Sequence, residues 1–210
     1  MTNKSCIARL SMYRNVLLRL KALNFVKVFS DNLADAARVS AVQVRKDFSL
    51  FGITGNRRGG YLIDELITQI SAILGKDKMQ KFIIVGIGNI GRALLRYKGF
   101  NANEILLVAG FDVDETKHNS HAEIPILPLG HLNSFVNDNQ IKHGIISVPD
   151  FAAQDVLEVM IESGIRGVLN FAPICLKESR GCVVRNLNLE TELENIIYFT
   201  ALAGKGEVGK

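Results

Sequence analysis

The sequence predicts an α/β chain in three parts: an N-terminal winged helix-turn-helix domain over residues 1–79, a Rossmann-like parallel-sheet domain over residues 80–188, and a C-terminal dimerisation helix over residues 189–210. Three observations carry that prediction. The apolar period changes at Lys81, from helical spacing to continuous buried-strand runs. The stretch VGIGNIGRAL, Val85 to Leu94, sets a glycine-rich turn between such a run and a helix. Charge is also uneven: residues 1–80 hold 13 Lys or Arg against 6 Asp or Glu, whereas the rest hold 12 against 15.

With 210 residues, 48% hydrophobic and 22% charged, the chain has the composition of a folded protein large enough for two cores. It has no apolar run of membrane-spanning length, and residues 1–22 carry too many Arg and Lys for a signal peptide. A cytoplasmic protein with no membrane partner is expected. Cys6, Cys175 and Cys182 lack zinc-site spacing, so they are expected to be reduced thiols, and no metal site is expected.

Residues 6–22 place Ile7, Leu10, Tyr13, Val16 or Leu17, and Leu20 on one helical face, with Arg9, Arg14, Arg19 and Lys21 around the rest. Ser30 can cap a second short helix, buried through Leu33, Ala34 and Ala37. Ser40 can cap a third, AVQVRKDFSLF, with Gln43 placed to complete a capping box. Val44, Phe48 and Phe51 would bury together, turning Lys46 outward and leaving Gln43 and Arg45 on the flanks of the exposed face. Two short helices joined by a tight turn, the second carrying polar and basic residues outward, make a helix-turn-helix reader. FGITGNRRGGY follows, and its glycines, Gly59 among them, bracket Arg57 and Arg58 as a two-stranded wing suited to a minor groove. Double-stranded operator DNA is therefore the expected partner, read by Ser40, Gln43, Arg45, Lys46, Arg57, Arg58 and Gly59. The competing account makes the same charges the ordinary surface of an oligomerising helical cap. Tyr61 to Leu74 reads as a fourth helix ended by Gly75.

In the second domain Gly86, Gly88 and Gly91 form G-x-G-x-x-G between strand and helix. The turn, with Ile87, Asn89 and Ile90, can present backbone N–H groups to a pyrophosphate. A second buried strand ends at Asp112, where a carboxylate can accept ribose hydroxyls and repel a 2′-phosphate, so NAD(H) is the expected cofactor; Asp114 reads as a loop cap. Further strand–helix pairs bring Val148 and Pro149, and Asn170 and Phe171, to the same crevice, where Phe171 can cover a nicotinamide or close the core. The four histidines lie in a polar loop or at the wrong ends of their elements, and no Tyr-x-x-x-Lys pair occurs. No catalytic residue is assigned. A compact NAD-dependent oxidoreductase and a nucleotide-gated protein-interaction module remain as alternatives. The last helix carries Leu189, Leu193, Ile196 or Ile197, and Thr200 on one face, as a helix packed on or exchanged with a second subunit would.

AVQVRKDFS, FGITGNRRGGY, VGIGNIGRALL, AGFDVD, SVPDFAAQ, ESGIRGVLNFAP and VRNLNL together resemble the Rex family of bacterial redox-sensing transcriptional repressors over nearly the whole chain. The resemblance implies a homodimer with an exchanged C-terminal helix, operator binding permitted by NAD⁺ and release by NADH at the same site, with Tyr97 near the nucleotide signal. Four positions depart from the family pattern. Arg58 stands where a glycine is usual and Leu50 where an aromatic is. Asn15 and Asn188 replace an arginine and an aspartate expected to form a charged link reporting which nucleotide is bound. A diverged paralogue with a weakened NADH response is the expectation.

Overall fold

A computed structural model describes residues 4–55, 59–177 and 181–206. The chain divides into two compact units, Met1–Met79 and Gln80–Lys210. Arg57 and Arg58 lie outside the described residues.

The first unit contains α1 (Lys4–Ala22), β1 (Lys27–Val28), α2 (Ser30–Ala37), α3 (Ala41–Leu50), β2 (Tyr61–Leu62) and α4 (Ile63–Ile73). Leu10, Tyr13, Leu17, Leu33, Val44, Phe48, Leu66 and Ile70 form its core. The buried face of α1 is rotated from the one expected: Cys6 and Arg14 are inside and Ile7 is exposed. The cause is polar. Cys6 donates to Asp47, and Arg14 donates through Nε to Ser71 Oγ at 2.7 Å, so hydrogen bonds draw in positions that an apolar count leaves out.

The cap of α2 is Phe29, whose N–H donates to Asn32 Oδ1 at 3.3 Å, and Ser30 is already helical. Arg38 closes α2 with φ 54°, a left-handed turn that places the cap of α3, Ser40, two residues later. Ser40 does cap α3, its hydroxyl accepting Gln43 N–H at 3.1 Å. The capping box stays half closed, because the Gln43 amide turns to Asp47 instead. At the base of the wing, Tyr61–Leu62 pairs antiparallel with Lys27–Val28, from before α2. Tyr61 and Leu62 are thus strand, and α4 begins at Ile63. Gly55 leaves space for the Tyr61 ring, which meets Phe48 edge-on at 5.2 Å and ties the wing's base to α3.

The second unit contains β3 (Gln80–Val85), α5 (Asn89–Leu95), β4 (Ile105–Asp112), β5 (Ile126–Pro128), α6 (Leu132–Asp138), β6 (His143–Ile146), α7 (Asp150–Glu162), β7 (Gly167–Asn170), β8 (Val183–Asn186) and α8 (Leu189–Gly206). The sheet runs β5-β4-β3-β6-β7-β8, every neighbouring pair parallel. This is the order of doubly wound dinucleotide folds, with its reversal between β3 and β6. Along β3 the burial alternates by face: Ile83 and Val85 join a cluster with Phe111, Leu157 and Met160, while Ile84 joins Ile87, Leu107 and Ile145. Each fully buried Ile or Leu contributes roughly 1.5–3 kcal/mol. The sixth strand, β8, has only Val184 buried, so the sequence shows almost no strand signal there. Along α8, Leu189, Leu193, Ile196, Ile197, Tyr198, Phe199 and Leu202 are all exposed.

Candidate nucleotide cleft and nucleic-acid interface

At the reversal between β3 and β6, the glycine turn opens into a cleft of about 350 Å³ lined by Gly86, Gly88, Asp112, Val113, Lys117, Ser147, Val148, Pro149 and Phe151. The three glycines have separate reasons. Gly86 has φ +94°, and a Cβ there would stand 2.6 Å from Ser147 O; at Gly91 it would stand 2.1 Å from Gly86 O. Both are required by the protein's own packing. A Cβ at Gly88 meets nothing within 4 Å, so that glycine keeps open the space a pyrophosphate would fill. Ile87 buries its side chain, while Asn89 and Ile90 open α5. Ser147 braces the turn, donating to Gly86 O at 2.7 Å.

Asp112, at the end of β4, is buried and already engaged. Its Oδ2 accepts Ile87 N–H at 2.7 Å and Lys117 Nζ at 3.0 Å, and its Oδ1 accepts Asp114 N–H at 2.9 Å. Burial pushes the carboxyl upward, but the two backbone N–H groups and the Lys117 ammonium outweigh it and hold the group below the usual carboxylate range. A carboxylate offers about four lone-pair positions, so one remains on Oδ1. That position can take one further donor; a second at Oδ2 requires Lys117 to yield, and Lys117 offsets part of the carboxylate's charge. Asp114 caps the 3₁₀ turn Glu115–Lys117 through Thr116 N–H at 3.0 Å.

The residues assigned to the nicotinamide end are not all gathered into this cleft. Asn170 is fully buried, its amide donating to Ile174 O at 2.8 Å and Asn186 Oδ1 at 2.9 Å while Oδ1 accepts Ala172 N–H at 2.9 Å. It organises the loop after β7 and offers no free donor to a ligand. Phe171 packs with the Ile84 cluster, so its ring closes the core. Tyr97 is exposed beside Phe100 at a separate hollow. The segment Ser147-Val148-Pro149 reaches the crevice as its place after β6 implies, but sequence reasoning missed Lys117, Val113 and Phe151; only the glycine turn's neighbours on β4 and β6 point to them. Phe151 is 83% exposed at the cleft mouth. Among the described residues no cluster of three His, Cys, Asp or Glu could hold a metal ion, and no helix is long and apolar enough to cross a membrane.

On α3, Ser40, Arg45 and Lys46 are exposed and Gln43 is half-buried. Asp47, unnoticed in the sequence, lies beneath them. It accepts from Arg9 Nε and Nη2, Tyr13 OH, Cys6 Sγ and Gln43 Nε2. Burial raises its carboxyl, but the Arg9 guanidinium, with Gln43 and Tyr13, holds it down at about 2. Burial, aided by Asp47, pushes the Cys6 thiol and the Tyr13 hydroxyl up, so neither ionises near neutrality. Gly59 is half-buried at the base of the wing.

Comparison with known proteins agrees with both halves. A family described as "Putative DNA-binding protein N-terminus" matches residues 4–49, and one described as "CoA binding domain" matches residues 77–174. A redox-sensing transcriptional repressor Rex of Desulforamulus reducens is 38% identical over 96% of this chain and 97% of its own. Crystal structures of RSP, 27% identical, match over 100% of this chain and 99% of theirs. The complex with β-NAD⁺ and operator DNA has a TM-score of 0.89, and the complex with β-NADH 0.85.

Proposed function

Because the chain belongs to the Rex family of redox-sensing transcriptional repressors, we propose that it binds operator DNA as a homodimer and that NAD(H) in the glycine-turn cleft sets how tightly it binds. The observation that carries this reading is the presence in one chain of a capped helix with exposed basic residues and a doubly wound sheet whose glycine turn is open at Gly88. The dinucleotide supplies the signal through the oxidation state of its nicotinamide. The protein's residues bind and transmit, and no reaction is catalysed. Its place is the cytoplasm, where operator and nucleotide meet.

Ser40, Gln43, Arg45 and Lys46 face DNA, with Arg57, Arg58 and Gly59 supplying the wing. The turn from Gly86 to Gly91 holds the pyrophosphate, Asp112 the adenosine ribose, and Val148 and Pro149 the cleft wall. Asn170 and Phe171 shape the nicotinamide end indirectly, and Tyr97, which stands at a separate hollow, is tied to the nucleotide response only by the family pattern. Residues 1–79, 80–188 and 189–210 act as reader, sensor and dimer helix. The exposed apolar residues of α8 are covered by a second subunit.

NADH-driven release is weakened in this chain. Asn15 is exposed on α1, and Asn188 already spends its Oδ1 on Glu190 and Thr191 N–H at the start of α8. A link between two neutral amides has less than charge-assisted strength, so it biases the two nucleotide states less. The test is selection of duplexes from a random pool by the full chain, followed by titration at several salt concentrations. A two-fold-symmetric site bound about a thousandfold more tightly than random duplex supports the reading, and equal affinity for every duplex contradicts it.

A further inference from the structure

Asp47 is 3% exposed and ionised at neutral pH, so it can only accept hydrogen bonds. The Gln43 atom facing it at 2.8 Å must therefore be the amide nitrogen, which fixes the orientation of the whole amide. The Gln43 carbonyl is turned away from Asp47, and it accepts no hydrogen bond among the described residues. One N–H of the amide remains as well. Gln43 is the third residue of α3, between the buried Asp47 side and the exposed Arg45 and Lys46, at the helix end that meets base edges in this type of reader.

An outward carbonyl beside one free N–H matches a single base. Adenine offers a donor at N6 and an acceptor at N7; guanine offers two acceptors, thymine an acceptor and a methyl group, and cytosine a donor alone. We infer that Gln43 reads an adenine in each half-site and that Asp47, which touches no DNA, is the positioning residue that holds its amide in the reading orientation. The inference rests on the DNA-binding reading above. It goes further in naming the base and the group that enforces it.

The experiment uses the full chain and the duplex it selects from a random pool. Each adenine of the selected half-site is replaced in turn by 2′-deoxynebularine, which lacks the N6 amino group, and binding is measured for the wild type and Gln43→Ala. The expected result is one adenine whose replacement weakens the wild type about tenfold and leaves Gln43→Ala unchanged. In Asp47→Asn, whose own amide can donate, the Gln43 amide is free to turn over. The preference for adenine over guanine at that position should then collapse, while the salt slope, which counts phosphate contacts, stays the same. The analogue arm uses only the wild type and Gln43→Ala, so it stands even if Asp47→Asn fails to fold. Three results overturn the inference: no adenine that depends on Gln43, a Gln43-dependent position occupied by guanine or thymine, or an adenine preference unchanged in folded Asp47→Asn. A pool that never enriches overturns the DNA-binding reading itself, and this inference with it.

Discussion

Asp47 in the first unit and Asp112 in the second are both buried carboxylates, yet their donors come from different places. Asp47 is surrounded by side chains: Cys6, Arg9 and Tyr13 from α1, and Gln43 from its own helix. Asp112 is held chiefly by backbone, the N–H groups of Ile87 and Asp114, with one partly exposed lysine. A carboxylate satisfied by another helix's side chains fixes one helix against another. One satisfied by the backbone of its own loops shapes a turn and keeps a lone pair for a ligand. Burial and charge alone do not separate these roles; the origin of the donors does.

The largest expected effect is on the first of these sites. Asp47→Ala leaves the Arg9 guanidinium and the Tyr13 hydroxyl without their acceptor, and breaking a buried pair from one side costs about 3–5 kcal/mol. Chemical unfolding followed in the first unit should show that loss, with NADH affinity in the second unit unchanged. A loss below about 1 kcal/mol would remove the distinction between the two sites.

A smaller effect comes from acid. The folded Asp47 carboxyl lies at about 2, below the ordinary carboxylate value, so its stabilisation is complete above that ordinary value and is lost as pH falls through the folded one. Between pH 5 and pH 2 the wild type should lose about 2 kcal/mol in the first unit that Asp47→Asn does not lose. Parallel stability curves for the two proteins would show that the carboxylate is not held by charge.

The smallest stability change is expected at Asp112. Its donors are neutral backbone N–H groups and a partly exposed lysine that can turn to water, so Asp112→Ala should cost about 1 kcal/mol of stability, while NADH affinity falls about tenfold. Calorimetric titration with NADH reads the second figure directly. An unchanged affinity would make Asp112 a loop brace only.

The same comparison explains what was legible in the sequence. Ser40, Val44 and Phe48 announce α3 through a cap and a helical period, and the glycine turn announces itself because Gly91 is demanded by Gly86 O within the same strand–turn–helix, although the neighbour that crowds Gly86 is Ser147, 61 residues further on. Asp112 follows from its place at the end of the next strand. Asp47 was not legible, since a charged residue reads as exposed and the donors that bury it stand 34 to 41 residues away on α1. The pairing of β1 with β2 joins residues 33 and 35 apart through two-residue strands, too short for any period. Asn170 reads in the sequence as a ligand contact; that its amide donates to Asn186, on a strand with one buried residue, has no sequence signal.

On the proposed function, nucleotide oxidation state changes DNA affinity, and this chain feels the change weakly. The measurement is operator affinity of the full chain at saturating NAD⁺ and at saturating NADH, repeated in Asn15→Arg plus Asn188→Asp. The account predicts that both nucleotides bind, that NADH lowers operator affinity, and that the ratio is smaller in the wild type than in the double variant, since only unequal affinity of each nucleotide for the two states can move the equilibrium. Operator affinity identical with NAD⁺ and NADH in both proteins would contradict it.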